Sequence, residues 1–342
     1  MVDGLPGENM KEMKINDEQI GDSFPTYVVA EAGLNHNGDV ETAKKMIEGI
    51  KNSGVNAIKF QTYKTNNFLT DDSEYYDFFK NVELSFEEFK ELKEYSDNLD
   101  ITFFSAPFDF ESADYLKKIN VPAFKIASSD FTNIPLVEHI SKMSIPMILS
   151  TGLCNLKEVE DTIAICNQND NIAILHCVAD YPTKPEDCNL NTIQTLKEQF
   201  NIPVGFSDNG ESTLVDLIAV SLGANIIEKH YTIDKKMEGP DHFFSIEPND
   251  LKYLVSQIRM IERMKGDGIK KPSSSELTNI SAIRKSITAN INISKGEKLS
   301  FENISIKRPA TGLEPRFVAS AIGKKVKNDI KKNQSIQLSD IE

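Results

Sequence analysis

Short runs rich in β-branched and aromatic residues recur along the first two thirds of the chain, and helix-forming segments separate them. The runs cover residues 27–33, 57–63, 101–107, 123–128, 146–152, 172–178, 203–208 and 226–232. Strands that alternate with helices in this way predict parallel β-α units, and eight such units close a barrel of about 250 residues. The sequence therefore predicts an α/β fold, a TIM (β/α)8 barrel over residues 26–270.

An open, doubly wound sheet is the main alternative fold. Such a sheet usually has a Gly-rich phosphate turn after its first strand. Here the first run ends in Gly33-Leu34-Asn35-His36-Asn37-Gly38, which does not have the Gly-x-Gly-x-x-Gly spacing. The barrel is the better interpretation.

The composition changes after the barrel. Residues 265–275 are rich in Gly, Lys, Pro and Ser, which is typical of an exposed linker. We predict an N-terminal extension over residues 1–25, a linker over 271–280 and a small, mostly β domain over 281–342. A domain of this size has a small core, so we expect it to lean on a partner surface.

Charge and cysteine content exclude several classes of protein. With 38 Lys and Arg against 52 Asp and Glu, the chain has a formal charge of -14, which disfavours nucleic acid and anionic membranes as partners. We see no apolar run long enough to span a membrane and no signal-like segment. The four cysteines lack CxxC spacing. We therefore expect a cytoplasmic protein with reduced thiols.

Polar residues at the ends of the predicted strands are the candidates for chemistry, since active sites of TIM barrels lie there. Lys59 and Lys125 are expensive to bury unless they meet an anion. Together with the hydroxyls of Ser128, Ser150 and Ser207, they indicate a ligand with a phosphate and a carboxylate. The alternative is that each lysine pairs with a glutamate on a strand.

Histidines and one loop carboxylate are further candidates. Strand alternation directs Glu228 and His230 to the same side, so His230 is either a metal ligand or a hydrogen-bonded core residue. His36 and His176 either take part in chemistry or orient a loop. Asp241, in Gly239-Pro240-Asp241-His242, either contacts substrate hydroxyls or belongs to an ordinary turn.

An ordered set of motifs covers the chain from about residue 26 to its end. They are Ala30-Glu31-Ala32-Gly33-Leu34-Asn35-His36-Asn37-Gly38, Lys59-Phe60-Gln61-Thr62, Phe124-Lys125-Ile126-Ala127-Ser128, Ser150-Thr151-Gly152, Tyr181-Pro182, Gly205-Phe206-Ser207-Asp208, Glu228-Lys229-His230, Gly239-Pro240-Asp241-His242 and Lys307-Arg308-Pro309. This set resembles the N-acetylneuraminate (sialic acid) synthase family, which includes legionaminate-type synthases. The C-terminal module resembles the antifreeze-like, or SAF, domain of that family.

The resemblance implies a transferase that condenses phosphoenolpyruvate with an N-acylated hexosamine and water, giving a nine-carbon 2-keto acid and phosphate by C–O cleavage. It also implies a domain-swapped homodimer in which the small domain covers the partner's barrel. The implied roles are catalysis by Glu31, Lys59, Lys125 and Asp241, substrate binding by Gln61, Ser128, Ser150, Tyr181, Ser207 and Arg308, and ligation of Mn²⁺ or Mg²⁺ by His230 and Asn209.

Three positions depart from the family pattern. Asn209 stands where most members have a second histidine ligand, which favours Mg²⁺ or weaker metal binding unless His242 replaces that ligand. Ala106 stands where the sialate branch has Thr, which removes one phosphate donor. Ala179 stands where that branch has Asn, so a 2,4-diacetamido-trideoxyhexose is an alternative to N-acetylmannosamine. Two competing functions are an aldolase that uses a Schiff-base lysine and a sugar-binding homologue with reduced catalysis.

Overall fold

The computed structural model describes residues 11–342, which form two compact units. The first unit ends at Gly266, and the second covers Asp267–Glu342. Residues 1–10 of the predicted N-terminal extension lie outside the described residues.

A β-hairpin precedes the barrel, formed by strands β1 (Met13–Ile15) and β2 (Glu18–Ile20). Its apolar side chains are buried and pack with residues of the amino-terminal half of the barrel interior. Asn171 holds the hairpin in place: its side chain accepts from Lys14 N at 2.7 Å and donates to Lys14 O at 2.9 Å. The hairpin therefore covers the end of the barrel opposite to the strand carboxyl ends.

Eight parallel strands form a closed barrel in chain order, and the last strand pairs with the first. The strands are β3 (Tyr27–Gly33), β4 (Ala57–Thr62), β5 (Thr102–Pro107), β6 (Phe124–Ile126), β7 (Met147–Ser150), β8 (Ile172–Cys177), β9 (Val204–Asp208) and β10 (Ile226–His230). The predicted TIM barrel is confirmed, and the eight predicted strands agree with the observed ones to within a few residues at each end.

Helices connect the strands and pack their apolar faces on the outside of the barrel. They are α1 (Val40–Ile50), α2 (Thr65–Phe68), α3 (Tyr76–Val82), α4 (Phe86–Asn98), α5 (Phe110–Lys118), α6 (Ile134–Ser141), α7 (Leu156–Ile165), α8 (Thr192–Phe200), α9 (Thr213–Ser221) and α10 (Pro248–Lys265). Local sequence fixes several starts. Asp39 caps α1, and Ser85 and Asn155 form capping boxes at α4 and α7.

The second unit begins with helix α11 (Ser274–Ile283), which has no buried residue and starts at a capping box between Ser273 and Glu276. Part of the segment expected as a linker is therefore helical, because its Ser-rich start is a good helix cap. Strands β11 (Ser286–Ala289) and β12 (Ile304–Lys307) pair antiparallel, and helix α12 covers Val318–Ala321. A separate apolar core lies within this unit. Within residues 11–342, no helix is long and apolar enough to cross a membrane.

Candidate active site

The strand register brings the predicted polar residues to one level at the carboxyl end of the barrel. His230 on β10 pairs with Glu31 on β3, and Glu31 pairs with Lys59 on β4. Glu228 lies opposite Ser207 on β9. Parallel strands in this register place all five side chains around the same interior region.

Lys59 is paired within the protein. Its Nζ lies 3.1 Å from Glu31 Oε2 and 3.0 Å from Glu228 Oε1, and all three side chains are at most 5% exposed. Burial opposes the charged amine, but the two carboxylates raise the pKa of Lys59 above its ordinary value. Burial of Lys59 therefore does not by itself require an anionic ligand. The alternative, a pair with strand glutamates, is what the structure shows.

Lys125 is less well paired. Its Nζ donates to Ile126 O at 3.3 Å and lies 3.5 Å from Glu228 Oε1, an oxygen that Lys59 also contacts. The side chain is 2% exposed, and this burial lowers the pKa of Lys125. The argument for an anionic ligand thus rests on Lys125. Glu31, Lys59, Lys125 and Glu228 are called the charged cluster below.

The two glutamates of the charged cluster differ in their surroundings. Burial raises the pKa of Glu31, which has one ammonium partner. Burial has the same effect on Glu228, but the charges of Lys125 and Lys59 outweigh it and lower the pKa of Glu228. Glu228 is therefore the more firmly ionised carboxylate.

The three predicted serines line the region beside Lys125. Ser128 Oγ accepts from Gly152 N at 3.1 Å, and Ser207 Oγ donates to Glu228 Oε1 at 3.1 Å. Ser150 Oγ is buried with no hydrogen-bond partner among the described residues. A buried hydroxyl without a partner is costly unless a ligand supplies one. Lys125, Ser128, Ser150 and Ser207 are called the anion site below.

Residues predicted to contact a sugar lie on the other side of the charged cluster. Gln61 Nε2 donates to Glu31 Oε1 at 3.1 Å. Tyr181 is half exposed, and its ring stands edge-on to His230 with centroids 5.9 Å apart. Burial raises the pKa of Asp241 to about 6. Gln61, Tyr181 and Asp241 thus approach Glu31 and His230 from the barrel mouth.

His230 has the properties of a metal ligand. Its Nδ1 is buried without a hydrogen-bond partner among residues 11–342 and lies 4.0 Å from Asp241 Oδ2. Burial lowers the pKa of His230 to about 3, so the imidazole is neutral. No group of three His, Cys, Asp or Glu side chains in the described part of the chain could hold a metal. A metal site at His230 therefore requires a ligand from a residue type other than His, Cys, Asp or Glu.

Asn209, the second metal ligand predicted from the sequence, lies one residue beyond β9. Asp208 pairs with Lys229 in the β9–β10 register, so Asn209 follows at the level of His230. Its Nδ2 donates to Val178 O at 2.8 Å. Because the amide nitrogen faces Val178, the carbonyl oxygen is the free end of the side chain. An imidazole nitrogen and an amide oxygen, with a carboxylate nearby, are groups that fit a hard divalent ion.

The other histidines of the site have structural partners. His36 Nδ1 accepts from Gly38 N at 3.0 Å, and His176 Nε2 contacts Cys188 O at 2.7 Å. His242 uses both ring nitrogens, with Thr232 Oγ1 at 2.7 Å and Asn37 Nδ2 at 3.3 Å. His242 is therefore not free to replace a missing metal ligand in this arrangement.

The structure adds two residues to the predicted site. Glu228 contacts both lysines and Ser207, and strand alternation with His230 is the sequence signal that directs it inward. Cys177 is buried at the end of β8, and Asn209 Nδ2 lies 3.6 Å from its Sγ. Nothing in the cysteine spacing identifies it. Arg308 follows β12 in the second unit and is exposed.

Comparison with known proteins agrees with this arrangement. Residues 46–270 match the NeuB family and residues 284–342 match the SAF domain. The chain belongs to the NeuB family. This assignment confirms the family predicted from the motifs and the SAF identity of the C-terminal module.

Relatives cover the NeuB-family chain almost from end to end. An uncharacterized protein of Methanocaldococcus jannaschii is 47% identical over 97% of this chain and 99% of its own length. The N,N'-diacetyllegionaminic acid synthase of Campylobacter jejuni is 40% identical over 91% of this chain and 99% of its own length. The crystal structure of a sialic acid synthetase from Leptospira borgpetersenii is 38% identical, with a TM-score of 0.76 over 79% of this chain and 95% of that one.

Proposed function

We propose that this chain is a nonulosonate synthase. It condenses phosphoenolpyruvate with an N-acylated hexosamine and water to give a nine-carbon 2-keto acid and phosphate. The observation that supports this most is Lys125 on β6, a buried ammonium with an incomplete set of partners, next to strand β7, which ends in the unpaired hydroxyl of Ser150. A ligand with a phosphate and a carboxylate supplies the partners that both groups lack.

The residues of the charged cluster bind and position the reactants. Lys59 and Lys125 hold phosphoenolpyruvate with the serines of the anion site, so that its C3 faces the acceptor aldehyde. The C3–C bond forms as the aldehyde oxygen gains a proton, water adds at C2, and the C2–O bond to phosphate breaks. Glu31, which contacts Lys59 and Gln61, handles a proton or the water.

A divalent cation, Mg²⁺ or Mn²⁺, belongs to this proposal. His230 Nδ1 and the Asn209 amide oxygen are the groups that would hold it, and the Asp241 carboxylate, 4.0 Å from His230 Nδ1, would contact the sugar. When bound, the ion supplies Lewis acidity toward the acceptor aldehyde. The neutral imidazole of His230 is in the protonation state that a ligand requires.

The acceptor sugar is a 2,4-diacetamido-trideoxyhexose in preference to N-acetylmannosamine. Ala106 is buried at the end of β5, and Ala179 lies beside Gly152 in the loop after β8. The small apolar side chain of Ala179 leaves polar groups of a mannosamine without partners. The relative that is 40% identical is named as a legionaminic acid synthase.

Two further parts of the proposal concern the assembly of the enzyme and its location in the cell. The SAF unit of one chain covers the barrel mouth of the partner in a homodimer, and Arg308 donates to the acyl group of the sugar. This explains why Arg308 is exposed in the single chain. We place the enzyme in the cytoplasm, in keeping with its four free cysteines.

A phosphate-release assay tests the function. Phosphate should appear only when phosphoenolpyruvate and an N-acylated hexosamine are both present, faster with the diacetamido sugar, and a chelator should stop it. A second candidate, a Schiff-base aldolase, is favoured by the lowered pKa of Lys125. Borohydride with pyruvate would trap an adduct in that case. A trapped adduct together with no phosphate release would refute the synthase.

A further inference from the structure

Two loops meet where the barrel closes between β3 and β10. One is the turn of residues 34–38, and the other is the segment of residues 231–247, which contains Asp241. Asn35 Nδ2 donates to Tyr231 O and to Ser245 Oγ, both at 2.9 Å. Ser245 Oγ in turn donates to Asp241 O at 2.6 Å. The backbone at Asp241 is thus connected to the first loop.

His242 makes the second connection, and its hydrogen bonds define one tautomer. The side-chain nitrogen of Asn37 can only donate, so His242 Nε2 accepts from it at 3.3 Å. The proton therefore lies on Nδ1, which donates to Thr232 Oγ1 at 2.7 Å. That hydroxyl is free to donate to Asp234 O at 3.2 Å. Each group in this series of hydrogen bonds has a consistent donor or acceptor role.

The backbone that carries these hydrogen-bonded residues has little conformational freedom. Asn37 lies in the left-handed region at φ 52° and also donates to Glu238 O at 2.8 Å. Gly239 has φ +149°, and a Cβ there would lie 2.7 Å from His242 Cδ2. Only glycine fits this approach without displacing the imidazole. The sequence Asn37 with Gly239-Pro240-Asp241-His242 is therefore one packed unit.

The carboxylate of Asp241 depends on this unit for its direction. Burial is the one cause of its raised pKa, and no described side chain donates a hydrogen bond to it. Asp241 Oδ2 lies 4.0 Å from His230 Nδ1. Because no other side chain holds the carboxylate, its position depends on the backbone that carries it, and a shift of the loop moves it relative to His230.

We propose that His242, with Asn37 and Thr232, is a positioning unit that directs Asp241 toward the acceptor sugar. These three residues are called the loop clasp. His242 does not touch the reacting atoms but acts through Asp241. The claim that Asp241 contacts the sugar rests on the proposed function. The link between the two loops does not depend on it.

Single and double variants test the loop clasp. His242→Ala removes the imidazole, and Asn37→Gly removes the amide without adding strain at φ 52°. Each should raise KM for the sugar about 10- to 100-fold, the loss expected for a group misplaced by roughly 1 Å. KM for phosphoenolpyruvate should change less than about twofold, because the anion site has no contact with the clasp. The double variant should be no worse than the poorer single one.

Matched variants separate positioning from general destabilisation. His242→Gln keeps one acceptor and one donor and should recover most of the lost sugar affinity. Asn171→Ala breaks a comparable pair of loop hydrogen bonds, to Lys14 N and O, at the opposite end of the barrel. It should lower the melting temperature without changing KM for the sugar. An equal rise of both KM values in His242→Ala would overturn the proposal.

Hydrogen exchange gives a readout that does not depend on the reaction. Amides of residues 238–246 should exchange faster in His242→Ala than in the native chain and in Asn171→Ala, while amides of β6 and β7 stay unchanged. Faster exchange without any turnover by the native enzyme would support the clasp and refute the proposed function. Unchanged exchange in residues 238–246 would overturn the clasp itself.

Discussion

Lys59→Met and Lys125→Met should differ clearly in how much they destabilise the protein. Lys59 lies between two buried carboxylates, 3.1 Å from Glu31 Oε2 and 3.0 Å from Glu228 Oε1. Lys125 has one carboxylate contact, at 3.5 Å, to an oxygen that Lys59 already binds. Methionine has a similar length and no charge, so the two variants differ mainly in the carboxylates that they leave unpaired.

The sizes of the two effects follow from these contacts. Lys59→Met leaves Glu31 without a cation and Glu228 with Lys125 alone. Breaking a buried ion pair in this way costs about 3–5 kcal/mol. Lys125→Met removes a buried ammonium whose pKa burial already lowers, and Glu228 keeps Lys59. Because Lys125→Met leaves no carboxylate without a cation, it should cost less than Lys59→Met, by about 2 kcal/mol or more.

Urea unfolding followed by far-UV circular dichroism measures both changes, since the chain has no Trp for fluorescence. The same titration with phosphoenolpyruvate at about 100 times its Kd should stabilise the native chain by about 2.7 kcal/mol. Lys125→Met should lose this gain. Equal destabilisation by the two variants, or full protection of Lys125→Met by phosphoenolpyruvate, would refute the assignment of Lys125 to the anion site.

Three other changes have defined outcomes. Lys229→Met should lower the free energy of unfolding by about 3–5 kcal/mol in urea titrations, because Asp208 and Asp216 then lie buried without a cation. Burial raises the pKa of Glu83, but hydrogen bonds from Thr65 and two lysines outweigh this effect and lower the pKa to about 2. Glu83→Gln should therefore lower the free energy of unfolding by about 1–2 kcal/mol at pH 7. The difference in free energy between this variant and the native chain should vanish as the pH falls from 4.5 to 2. Asn209→His should tighten Mn²⁺ binding in calorimetry without substrates by about tenfold or more, and unchanged affinity would remove Asn209 from the coordination shell.

The barrel and the level of the site follow from local sequence patterns. Apolar runs of four to eight residues between helical segments define parallel strands, and the residues that end them must meet at one edge. For this reason Glu31, Lys59 and His230 are expected together, and the register places them in adjacent strands. Neither the barrel nor the level of the site requires knowledge of which side chains contact each other across strands.

Pairing within the site is harder to predict because it depends on which strands become neighbours. Lys59 meets Glu228 across 169 positions of the chain only because β10 closes the barrel beside β3. Periodicity gives the side of a strand on which a residue lies, but not the side chain opposite to it. The contact of Asn37 with His242, which joins the loops after the first and last barrel strands, is hidden from the sequence for the same reason.

Asn209 connects two barrel strands at the place where we propose that a metal ion binds. The Nδ2 of Asn209 donates to Val178 O at 2.8 Å and so connects the ends of β8 and β9. A histidine at this position can make the same donation with one ring nitrogen and leave the other for a ligand. Asparagine leaves a carbonyl oxygen instead. The connection between the strands is therefore the same for both residues. In the proposed metal site, the difference would fall on the group offered to the ion, and a carbonyl oxygen would favour a hard ion such as Mg²⁺ over a softer one.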